Sequence, residues 1–136
     1  LTYFIDANIP LYASGKEHPY REACRNLVRA LAEGTLRGVT DTEVLQELMY
    51  VGLRSSRSLR AYDLWRTIMD GSILPVSVDD MDAARRLHSR HPGLPPRDLI
   101  HAAVMLNNGI LTVISADQHF DEIEGISRLD PKNTGA

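Results

Sequence analysis

Cysteine occurs once in these 136 residues, at Cys24, so no disulfide can close within the chain. No uninterrupted apolar run approaches the roughly 20 residues that a bilayer span requires, which excludes a transmembrane helix. There is no internal repeat, low-complexity tract or linker. A cationic excess is also missing: 15 Lys and Arg stand against 18 Asp and Glu, a net charge of -3. That balance excludes binding to nucleic acid through bulk charge, so any such role needs a local site. Lysine is scarce, with only Lys16 and Lys132 beside 13 Arg, a choice that suits bidentate phosphate contacts and that a GC-rich genome would also produce.

What is present is ordinary for a globular protein: 43% apolar and 24% charged residues. A chain of this length buries roughly two-thirds of its unfolded surface without a metal or disulfide staple, and one domain over residues 1–136 is expected. The lone cysteine suits a reducing compartment. An apolar strand pattern begins at Leu1 with no basic leader before it, although a start at Leu rather than Met leaves a trimmed leader open. A cytoplasmic protein with no membrane association is the expectation.

Glycine and proline punctuate the chain at Gly34, Gly38, Gly71, Pro92-Gly93, Pro95-Pro96 and Gly109. Strand and helix patterns alternate between them. Leu1 to Asp6 reads as a strand ending in an acid. His18 to Glu33 places Tyr20, Cys24, Leu27, Val28 and Leu31 on one helical stripe. Leu36 to Thr40 predicts a second strand, with Asp41 or Thr42 capping a helix to about Arg54, and Ser58 capping another to Asp70. Ile73 to Val78 predicts a third strand, and Asp79-Asp80 opens a helix with Met81, Ala84 and Leu87 inward. The segment after Pro95-Pro96, RDLIHAAVMLNNG, is a helix apolar on nearly every face and so central; Leu111 to Ser115 is an apolar strand. A helical turn near Asp117 to Ile123 and a strand near Ile126 to Leu129 close the pattern. Strands joined by helical crossovers imply an α/β fold with a largely parallel sheet of about five strands flanked by helices, whose sites lie at the carboxyl ends of strands.

Two strands end there in acids, Asp6 after YFI and Asp117 after LTVIS, where each could equally be a helix cap. Glu47 shares a helical face with Val44 and Val51, which should be buried; an ionised carboxylate there needs a cation or an arginine beside it. Asp98 lies in the first turn of the apolar helix, a position the helix dipole alone would favour and one that also faces the strand ends. Four converging carboxylates would repel one another unless a divalent ion neutralised them. With no His or Cys at metal-ligand spacing, oxygen donors point to Mg²⁺ or Mn²⁺ rather than Zn²⁺.

The segments FIDANIPLY, TDTEVLQELMYV, RDLIHAAVML and VISADQHFDEI, in this order, resemble the PIN domain family, and within it the small VapC-type ribonuclease toxins. The resemblance covers nearly the whole chain. It implies a parallel sheet between helices and Mg²⁺- or Mn²⁺-dependent hydrolysis of RNA to 5′-phosphate and 3′-hydroxyl ends, often under control of an antitoxin protein. Carried over by motif, the catalytic acids are Asp6, Glu47, Asp98 and Asp117; Asp121 is a further acid of the metal site; Asn8, Thr40 and Ser115 are polar residues lining it. Without the four acids, 14 negative charges remain against 15 positive, so the rest of the protein is nearly neutral.

His101, one turn beyond Asp98, reads as a hydrogen-bonded helix histidine, and His18, His88, His91 and His119 lack ligand spacing. Arg54, Arg57 and Arg60 read as solvated. The stripe of Leu59, Tyr62, Leu64, Trp65 and Met69 reads as core, part of it with Met49, Tyr50 and Leu53 being a candidate partner or homodimer surface. A receiver-like phosphoacceptor would need an early acidic pair and a late lysine, and neither is present. A non-toxin PIN-like nuclease, whether an RNA-processing enzyme or a structure-specific DNase, and a catalytically silent binding module stay open as alternatives.

Overall fold

The computed structural model describes residues 1–136. Strand β1 (Tyr3–Ile5) leads into helices α1 (Asn8–Ser14) and α2 (Arg21–Glu33). Strand β2 (Gly38–Asp41) is followed by α3 (Thr42–Ser55) and α4 (Arg60–Ile68). The two-residue strand β3 (Ile73–Leu74) precedes α5 (Val78–Arg90) and α6 (Pro96–Asn107). Strands β4 (Thr112–Ile114) and β5 (Ser127–Leu129) complete the sheet, each followed by a 3₁₀ turn, Gln118–Glu122 and Pro131–Asn133.

All neighbouring strands pair in parallel in the order β3-β2-β1-β4-β5. From β1 the chain winds outward through β2 and β3, then returns to place β4 on the other side of β1. The reversal makes the carboxyl ends of β1 and β4 the topological switch point, the place where open parallel sheets bind ligands. Asp6 follows β1 there, its amide donating to the Ile114 carbonyl at 3.2 Å. Phe4, Ile5, Val113 and Ile114 are fully buried, as strands covered on both faces must be. No helix is long and apolar enough to cross a membrane.

Several local expectations shift. Helix α1 has no counterpart in the pattern reading, being seven residues long with Pro10 in its first turns and no cap bond to announce it. The third strand stops at Leu74 because Pro75 has no N–H to donate, and Thr42 Oγ1 takes the Val76 N–H at 3.1 Å. Ser77, not Asp79, opens α5 through a reciprocal capping box with Asp80, and Met81 faces solvent while Ala84 and Leu87 enter the core. Helix α4 starts at Arg60 with Ser58 Oγ accepting the Arg60 N–H; within its stripe Trp65 and Met69 are core and Leu64 is exposed.

The turn between α3 and α4 folds back so closely that a Cβ on Gly52 would collide with the Ser58 carbonyl oxygen. Alanine would gain about 1 kcal/mol in helix propensity, and the backbone collision outweighs it. Gly52→Ala should therefore lower stability by a net ~1–2 kcal/mol in urea melts; an unchanged midpoint would contradict that packing.

Candidate active site

Asp6 is held by its neighbours before any ligand is considered. Its Oδ1 accepts from the Ala7 N–H at 2.8 Å; its Oδ2 accepts from Ser115 Oγ at 2.6 Å and from Asn8 Nδ2 at 3.2 Å. Ser115 Oγ in turn accepts from the Asp117 N–H at 2.9 Å, so one hydroxyl ties the ends of β1 and β4 together. Asn8 also lies 3.0 Å from Ser115 Oγ and accepts weakly from the Ala116 N–H. Thr40 is buried one strand away, donating to the Ile5 carbonyl at 3.3 Å; it braces β2 against β1, its hydroxyl bonding to backbone and to none of the acids.

Glu47 projects from α3, and Asp98 from the first turn of α6. Ligand atoms of Asp6, Glu47 and His101 lie within 4.8 Å of one another, and those of Asp98, Asp117 and His119 do the same. The two groups sense each other. Burial, then Asp6, pushes Glu47 up to about 7, against the opposing pull of Arg97 and His101. Burial, then the Asp117 charge, pushes Asp98 up to about 6, although its hydrogen bond from His119 favours the carboxylate. Arg97 Nε stands 3.3 Å from Glu47 Oε1 without the alignment of a hydrogen bond, and its side chain is 38% exposed. The contacting Nε is itself buried and unpaired, and the Arg97 charge offsets the burial of Glu47 only in part.

Asp41, the expected helix cap, and His101, the expected hydrogen-bonded helix histidine, also shape this pocket. Asp41, fully buried, caps α3 by accepting the Val44 N–H at 2.9 Å and binds His101 Nδ1 at 2.8 Å. Burial opposes a charge on His101, but the Asp41 hydrogen bond and the charges of Asp41, Asp6 and Glu47 outweigh it and hold the ring at about 9. A charged ring carries hydrogen on Nε2, which has no hydrogen-bond partner and lies 3.9 Å from Asp6 Oδ1. His119 Nδ1 sits 2.9 Å from Asp98 Oδ2 and 3.1 Å from Asp117 Oδ1, and the Asp98 bond biases it toward its protonated form. His101 was legible as sharing a helical face with Asp98 at i, i+3; nothing in the local sequence marks His119.

Asp121 lies apart from both clusters. It forms a bidentate pair with Arg128, at 3.0 and 3.2 Å, while Arg128 also donates to the Ser115 carbonyl at 3.0 Å. Its role in this structure is to hold Arg128 against the end of β4. The donor set facing the pocket is thus four carboxylates, with one imidazole nitrogen protonated and the other histidine already bonded to acids. Hard oxygen donors with unmet charge fit a divalent cation.

The chain matches the PIN domain family over residues 3–126. It belongs to the PIN domain family. Ribonuclease VapC13 of Mycobacterium tuberculosis is 36% identical over 128 residues, spanning 92% of this chain and 97% of the relative. Ribonuclease VapC23 of the same species is 38% identical over 117 residues, spanning 84% and 91%. In fold the chain is similar to VapBC2 from Rickettsia felis, solved bound to a DNA fragment from its promoter, with a TM-score of 0.71 and 20% identity over 96% of this chain and 98% of that one. The five-stranded parallel sheet with its acids at the switch point is therefore a PIN fold throughout.

In this PIN site Glu47 binds its proton more tightly folded than unfolded. The cost of its charge is absent below about pH 4.5 and grows as pH rises to about 7. Glu47→Gln should melt with the wild type near pH 4 and, in EDTA above pH 7, be more stable by up to ~3 kcal/mol. A destabilised variant at neutral pH would mean that the Arg97 pair, not the repulsion, dominates Glu47.

Proposed function

We propose that this chain is a Mg²⁺- or Mn²⁺-dependent endoribonuclease, acting in the cytoplasm as the toxin of a toxin-antitoxin pair, with residues 1–136 working as one nuclease unit. The observation that carries the reading is the convergence of Asp6, Glu47, Asp98 and Asp117 at the switch point, with two of them pushed well above the usual carboxylate range. The names of the relatives support ribonuclease activity, and the toxin-antitoxin assembly seen for the fold neighbour supports an antitoxin partner.

Asp6, Glu47, Asp98 and Asp117 would hold the divalent ion, which when bound acidifies water and draws charge from phosphoryl oxygens. The protein's own groups do the rest. Ser115 and Asn8 keep Asp6 oriented through Oδ2. His101, anchored by Asp41, brings a fixed positive charge beneath Asp6 and lowers the repulsion the acids would otherwise feel. Glu47 faces the same pocket from α3, and holding the ion there requires its carboxylate to be deprotonated. His119, half exposed and biased toward its charged form, adds attraction for phosphate at the mouth. Asp121 serves through Arg128 rather than as a ligand. The exposed Met49, Tyr50 and Leu53 on α3 form an apolar edge suited to a second copy of the chain, giving a homodimer.

End-labelled structured and unstructured RNAs should be cut with Mg²⁺ or Mn²⁺ and left intact in EDTA, with single-stranded and branched DNA as controls. Asp6→Asn and Asp98→Asn should fold normally and lose at least ~100-fold in cleavage. Full activity in both variants, or cleavage of the DNA controls alone, would contradict the assignment.

A further inference from the structure

Helices α1 and α3 both begin at the acidic pocket, α1 with Asn8 and α3 with Glu47 only five residues past its start. Beyond it they form the walls of an open groove of about 710 Å³, bordered by α1, the segment that follows it and the α3–α4 turn. Asn8 to Tyr12 and Glu47 to Val51 are each one helical turn, and Ser55 is a second turn on. The groove therefore extends about 11 Å from the acids, roughly three stacked nucleotides.

Only four of the groove's 14 lining residues are hydrophobic. Lys16 and Arg60 line it and Glu17 is its one carboxylate, while the hydroxyls of Ser14, Ser55 and Ser56 donate to backbone carbonyls four residues back. At its far end the rings of Tyr12 and His18 stack with centroids 4.2 Å apart and planes 14° from parallel, and Tyr20 continues the alignment at 5.7 Å from Tyr12. The stack is built in advance. The Tyr20 N–H donates to His18 Nδ1 at 3.1 Å, which fixes the imidazole, and the Tyr20 hydroxyl donates to Asp130 at 2.6 Å. His18 itself is exposed and makes none of the contacts of the acidic pocket. Cations and a preformed aromatic face in one groove are the combination by which proteins hold single-stranded nucleic acid without reading its sequence.

The geometry points to this groove as the path of the single-stranded RNA flanking the cleaved bond: a base stacks on the Tyr12–His18 pair, and Lys16 and Arg60 neutralise the backbone phosphates beside it. This rests on the nuclease reading for its direction, since the acids lie at one end, but the binding is separately measurable.

The test measures both binding and cleavage of a fluorescein-labelled, unstructured 12-nucleotide RNA. Anisotropy in EDTA gives Kd and its salt dependence, and cleavage in Mn²⁺ gives KM and kcat. Tyr12→Ala and His18→Ala should each weaken Kd and raise KM about tenfold, the effect confined to KM, while His18→Phe restores binding to within about twofold of wild type. Lys16→Ala and Arg60→Ala should each reduce the slope of log Kd against log salt by about 0.7. If the wild type cleaves RNA and all these variants stay within twofold of it, the groove assignment falls while the nuclease reading stands. If RNA is bound and the variants weaken it, yet no metal supports cleavage, the nuclease reading falls and the groove stands. Wild type that binds no RNA, or variants that weaken only a co-expressed antitoxin, would overturn the groove as an RNA path.

Discussion

Carboxylates from four different elements share one pocket at the carboxyl edge of the sheet, and their mutual repulsion is the constraint that the surrounding structure answers. Asp6 is held in place by three donors, Ala7 N–H, Ser115 Oγ and Asn8 Nδ2. Glu47 and Asp98 have far less support, and burial raises both. Such an arrangement stores unfavourable free energy in the metal-free fold, and only a cation recovers it.

The Asp41–His101 pair is the internal answer to the same problem. Both side chains are fully buried, and the imidazolium sits between Asp41 and Asp6 with one nitrogen on each side. It lowers the repulsion enough for the chain to fold, without supplying the oxygen-coordinated charge the acids fit. The Asp41 carboxylate also caps α3, so the residue that orients His101 fixes the helix that carries Glu47. Position and electrostatics of the pocket are thus set by one side chain.

Much of this was legible in the sequence because it is local. Strand ends carrying Asp6 and Asp117, the apolar helix after Pro95-Pro96, and the inward face of Glu47 follow from periodicity and turn residues a few positions apart. The parallel sheet follows from the alternation of those elements. What escaped depends on contacts between distant segments: Asp41 meets His101 across 60 positions, and His119 meets Asp98 across 21. Asp121 is an acid of the metal site only by the family resemblance, and the 3₁₀ turn directs it to Arg128. Helix α1 was missed because seven residues without a side-chain cap carry too little pattern, and β3 was overextended because Pro75 ends pairing inside an otherwise apolar run.

The central claim is that the acids form a cation site whose occupation relieves the fold. Thermal melts with and without Mn²⁺ test it most directly, since an ion bound only by the folded chain raises stability by about 2.7 kcal/mol at 100 times its Kd. The account predicts a higher melting temperature in millimolar Mn²⁺ for the wild type and a much smaller shift for Asp98→Asn. A wild-type melting curve that Mn²⁺ leaves unmoved would contradict it.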